Sequence, residues 1–252
     1  LSGGRQVLIA ALHRWSMDVV PELVARDRRS DDPALRMAAT GRVYDYRRFC
    51  TTVWKTSNFF RLLGVRAGAV VAIDDEPAPE TLFAGLGAAM LGATMRFDAP
   101  ASEREPRLVV ARTGRVSEYE VGPQTKRVGH GSEPEDPAIG YFERDVWSEN
   151  PSTPPTTTTP DDRLLGVDEA GYTNAELLGA ARRLAERLGL EPGDEVAIRA
   201  SLDHPGVVAG LLAPLVAGAA ILLPGPDSEG TVAIGEGGPE RAIDPATILP
   251  AP

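Results

Sequence analysis

The chain has 252 residues, 36 of them acidic and 26 basic, for a formal charge of −10. Its length suits one large domain or two small ones, and its charge excludes a surface built to grip nucleic-acid phosphates, which needs clustered Lys and Arg. The single cysteine, Cys50, excludes an internal disulfide and any cysteine-based metal motif.

The first six residues read LSGGRQ, close to the LSGGQ signature of ABC-type ATPases. That signature works only opposite a G-x-x-x-x-G-K-[ST] loop. The only lysines, Lys55 and Lys126, do not follow a glycine. Residues 1–16 are therefore expected to be a disordered extension, with Met17 an alternative start. No secretory signal is expected, because residues 1–20 lack a long apolar core and carry Arg5, His13, Arg14 and Asp18. An acidic surface poor in lysine suits a high-salt cytoplasm, where self-repulsion is screened, and GC-rich coding is the alternative source of the excess of Arg over Lys. The expectation is a cytoplasmic, halophilic protein.

Self-similarity is the most informative feature. Residues 44–97 and 172–223 share one design: Gly64, Gly68 and Val71-Ala72-Ile73 match Gly189, Gly193 and Val196-Ala197-Ile198, and Tyr46 matches Tyr172. Within the first unit Cys50 and Trp54 fall on the core face of a helix. Between the units, 107–112 (RLVVAR) reads as a strand and Val116–Val121 as a second. The stretch GHGSEPEDP reads as a loop with His130 solvated, and ENPSTPPTTTTPDD as a polar linker.

In the second unit, Leu177, Leu178, Ala181, Leu184 and Ala185 recur at helical spacing behind a Thr173 or Asn174 cap. Gly189 closes that helix. EVAIR is a strand, a second helix runs from Pro205 to Gly218, and AILL is another strand. After Pro224 only TVAIG reads as a strand. The apolar run Val207–Leu223 is thus helix plus strand, not a membrane span. The expected fold class is α/β: two related αβαβ subdomains with mostly parallel sheets, at 17–147 and 164–252, joined by a Pro/Thr-rich linker at 148–163.

These units resemble adenylate-forming enzymes, the superfamily of acyl-CoA synthetases, luciferases and peptide-synthetase adenylation domains. The resemblance rests on GVRAGAVVAI and AAMLGA in the first unit, and on NAELL, LEPGDEV, SLDHPG and LLAPLVAGA in the second. It implies the large N-terminal domain of acyl-CoA synthetases. The family's phosphate loop, T-S-G-[ST]-T-G-x-P-K-G, belongs just before the second unit and needs close-approaching glycines and a lysine. STPPTTTTPDDRLLGVDEAGYTN, at 152–174, has neither a glycine cluster nor a lysine. The family's Y-G-x-T-E motif, its ribose-holding aspartate and its catalytic lysine are not found either.

His204 matches the histidine of the family's P-x-x-H-x-x-G turn, which borders the acyl and adenylate site. With Asp203 and Gly206 it forms the candidate substrate pocket. Two plainer readings stand beside this one: His204 as an exposed turn residue, and Asp203 as a helix cap. No catalytic residue and no metal ligand is expected. The expected function is that of an acyl-CoA synthetase-like, non-catalytic binding or scaffold homologue without a cofactor. The alternative is acyl-CoA ligase activity completed in trans, with ATP, AMP or CoA bound only when a partner completes the site. Expected partners are a full-length relative or further copies of this chain, with neither nucleic acid nor membrane.

Overall fold

A computed structural model of the chain describes residues 17–97, 105–167, 170–223, 225, 228–236 and 238–249. The extension expected at 1–16 lies outside them. The elements run α1 (Val20–Leu23), β1 (Pro33–Met37), β2 (Arg42–Asp45), α2 (Tyr46–Leu62), β3 (Val70–Ile73), α3 (Pro79–Ala89) and β4 (Thr94–Phe97). Next come β5 (Leu108–Arg112), β6 (Lys126–His130), β7 (Gly140–Tyr141), α4 (Phe142–Ser148), β8 (Arg163–Val167) and β9 (Ala170–Thr173). The last are α5 (Asn174–Leu188), β10 (Glu195–Arg199), α6 (Pro205–Ala217), β11 (Ala220–Leu223), β12 (Val232–Gly235) and β13 (Ala242–Ile243).

Local chemistry fixes the helix ends. Thr173 caps α5 by accepting from the Glu176 amide at 3.3 Å, while the Glu176 carboxylate accepts from the Thr173 amide at 2.8 Å. Two amides that the first turn leaves orphaned are thereby satisfied. Gly189 ends the helix at φ 65°, a conformation a side chain resists. In α2, the Asp45 carboxylate accepts from the Arg48 amide at 2.6 Å. Val116–Val121 is not a strand. Val116–Glu118 forms a 3₁₀ turn, because Val116 and Tyr119, three apart, both turn inward against Ala72, Val109 and Ala111 of the sheet.

Two sheets form. One has the order β13-β12-β10-β11-β1-β2 and the other β7-β6-β5-β3-β4-β8-β9. Pairings are parallel except in the hairpins β1–β2 and β8–β9. The hairpins exchange sides. β1 pairs with β11, Leu35 opposite Ile221, so an N-terminal hairpin completes the sheet of the second unit. β8 pairs with β4 through Met95 and Leu165, so the hairpin leading into α5 completes the sheet of the first. Sheet membership thus crosses the 148–163 linker in both directions, whereas the expected boundaries follow chain order.

The middle of the molecule is apolar and continuous. α6 is buried along its whole length, and one core cluster runs from Met17 to Ile243. Leu82, Gly85 and Leu86 of α3 share a small apolar void with Val208, Leu211 and Leu212 of α6. α2 and α3 approach closely at Gly87, where a Cβ would lie 2.7 Å from Thr56 Cγ2. Polar ties span the exchange: Tyr46 Oη donates to the Ala219 carbonyl at 2.7 Å, and Asn174 accepts from the Val20 amide at 3.2 Å. Among the described residues no helix is long and apolar enough to cross a membrane.

Candidate functional site

Ligands of parallel α/β sheets gather at the carboxyl ends of the strands, and the sequence candidates fall there. His204 sits between β10 and α6, half-buried. Its Nδ1 accepts from the Gly206 amide at 3.0 Å and caps α6. The cap is therefore His204, not Asp203, which is exposed. Gly206 is buried with the Pro245 carbonyl so close that no Cβ would fit. The three residues share one turn, and the Pro245 backbone closes over it at Gly206.

Neighbouring carboxyl ends are neutralised internally. Arg115 pairs with the buried Asp74 at 2.7 Å, and Arg112 grips Glu76 through two hydrogen bonds of 2.6 Å each. Ser201 Oγ donates to Asp75 Oδ2 at 2.6 Å, and the Leu202 amide to the Asp75 carbonyl at 2.9 Å, tying the two sheets together. His130 is not solvated. It ends β6, 3 % exposed, because β5 and β6 pair up to Arg112 and His130 and carry the ring inward. Burial pushes its imidazole down to about 4, against the opposing pull of Asp74. Among the described residues no group of His, Cys, Asp and Glu side chains is placed to hold a metal ion.

The threonine tract lies far from these ends. Thr158 Oγ1 donates toward the Ala89 and Met90 carbonyls at 3.2 and 3.4 Å, at the end of α3. The Thr158 amide goes to Thr156 Oγ1 and the Thr159 amide to Asp162 Oδ2. Closer to α5, β8 and β9 face each other with Val167 opposite Ala170, so only residues 168 and 169 connect them.

An open cavity of about 410 Å³ lies elsewhere, between β2, α2, the start of α3 and α4. Five basic and three acidic side chains line it, with Phe83, Phe142 and Val146 supplying apolar wall. Tyr44, 4 % exposed, is stacked by two guanidiniums, Arg42 at 4.6 Å and Arg48 at 4.9 Å from its ring centre. Arg29 lies 5.5 Å over Trp54. Among the described residues none of these three arginines has a carboxylate partner; Arg47, by contrast, is held by Asp31 at 2.8 Å. At the rim Lys55 donates to the Trp147 carbonyl and lies 5.1 Å over its ring, which is 73 % exposed. On the acidic side Glu143 accepts from the Gly131 amide at 2.7 Å. Burial, reinforced by Glu143, holds the Glu80 carboxyl above the usual carboxylate range. Sequence reading missed this site because its arginines come from separate elements. The clustering of arginines near 26–29 and 42–48 was the available signal.

Solved structures match this architecture. An anthranilate CoA ligase, AuaEII, in complex with anthranoyl-AMP superimposes with a TM-score of 0.73 at 17 % identity, over 85 % of this chain and 49 % of its own. The chain has the fold of an adenylate-forming N-terminal domain. A benzoate CoA ligase from Burkholderia xenovorans LB400 gives 0.71 at 19 % identity over 85 % of this chain and 49 % of its own. The N-terminal domain of FACL13 from Mycobacterium tuberculosis gives 0.68 at 15 % identity, covering 82 % and 57 %. The chain thus spans about half the length of the two ligases. No protein-family model and no curated protein sequence matches the chain.

Proposed function

We propose that this chain is an acyl-CoA synthetase-like protein that binds without adenylating. One observation supports the reading: among the described residues before α5 no glycine-rich phosphate cradle forms. The β8–β9 hairpin is joined by two residues, too short for a glycine-rich loop of about ten. The amides of Thr158 and Thr159 and the Thr158 hydroxyl are already engaged within the protein. Lys55 and Lys126 lie on α2 and β6, not beside that hairpin. These residues do not fit a bound triphosphate, since phosphoryl chemistry rests on positioned donors and charge neutralisation.

ATP–pyrophosphate exchange tests the proposal. Purified chain, with Mg²⁺ and a panel of aryl and fatty acids, is expected to give no exchange above the protein-free rate. Acid-dependent exchange that scales with protein concentration overturns it.

A further inference from the structure

We propose that the arginine-lined cavity between β2, α2 and α4 is a binding site for a small amphiphilic phosphate monoester, an apolar or aromatic body carrying a dianionic head. Three features of the cavity argue for this ligand class. Arg29, Arg42 and Arg48 approach it from three separate stretches of chain with no carboxylate partner among the described residues, in a protein whose net charge is −10. All three are exposed, and stacking on Trp54 and Tyr44 holds their guanidiniums in place. Stacked guanidiniums keep their N–H edges free, and those planar forks suit phosphate oxygens.

The second feature is the wall. Phe83, Phe142 and Val146 offer apolar surface deep in the cavity, which an inorganic ion would leave wet. The third is the acidic pair. Glu80 and Glu143 face the same space, and burial holds the Glu80 carboxyl above its usual range, which weakens its repulsion of an anion. The volume of about 410 Å³ falls among small-molecule sites.

The test is a calorimetric titration of the full chain with phenyl phosphate, alongside inorganic phosphate, phenol and benzoate. Saturable one-to-one binding of phenyl phosphate, tighter than any of the other three, is expected. In R42Q and R48Q the affinity falls about tenfold or more, as it does for loss of one charged hydrogen bond. R187Q, on α5 and away from the cavity, keeps wild-type affinity. K55Q, at a half-buried lysine of the lining, gives a second reading should an arginine variant melt early. Three results overturn the proposal: no phenyl phosphate binding up to about 10 mM, equal affinity in R48Q and K55Q as in wild type, or inorganic phosphate binding as tightly as phenyl phosphate. The site does not depend on the loss of adenylation. Pyrophosphate exchange would refute that reading and leave this one standing.

Discussion

His130 illustrates how a single residue couples this fold to pH. Its ring is buried and its folded-state pKa is about 4, against 6.5 unfolded. A depressed value means protonation favours the unfolded chain. The stability from keeping this ring neutral is full above pH about 6.5 and is lost as pH falls through about 4. The shift corresponds to about 3 kcal/mol across that window. Urea unfolding of wild type is expected to weaken accordingly between pH 7.5 and 4. His130→Leu, neutral at every pH, loses that part of the slope; an unchanged slope refutes the assignment. Arg199 and Glu240 form a second residue-scale dependence. Their ion pair, at 2.6 Å, leaves the Glu240 side chain with no exposure and Arg199 with 10 %. Removing one partner strands a buried charge, so Glu240→Ala is expected to cost about 3–5 kcal/mol in thermal or urea unfolding.

At the scale of elements, small residues decide which helices touch. Gly87 lets α3 lie against Thr56 and Ser57 of α2. Gly87→Val overfills that contact and is expected to destabilise by about 1–3 kcal/mol, whereas Gly114→Ala, with nothing within 4 Å of a Cβ, is expected to be neutral. Equal melting temperatures for the two variants would show that the helices can move apart. Elements were also where the sequence was most legible. Thr173, Glu176 and Gly189 mark both ends of α5, because capping is chemistry between residues a few positions apart. The burial of His130 was not legible, since it depends on a strand whose partner sets its orientation. Nor was the cavity, whose walls are assembled from residues more than a hundred positions apart. His204 was legible as a special turn residue, while its use as the cap of α6 needed the geometry.

For the whole molecule, the exchanged hairpins matter most. Because β1 pairs with β11 and β8 with β4, neither sheet is complete within one half of the sequence. A chain split between 150 and 151 is expected to yield two fragments that are each largely unfolded by circular dichroism. Mixing them, or producing them together, is expected to restore one cooperative transition, since the apolar core is continuous across both. Independent melting of either fragment at the temperature of the intact protein would show that the halves do not need each other. Chain-order reading missed the exchange because pairing preferences between distant strands leave no local periodicity to detect.

The partnership of Leu35 with Ile221 also sets a timetable. During synthesis the β1–β2 hairpin must wait, one edge of β1 unpaired, until β11 has left the ribosome. Closing so distant a contact is slow, and an open edge invites strangers in the meantime. Yield in a cell should therefore respond to chaperone supply and to the speed of translation, even where the finished protein is stable.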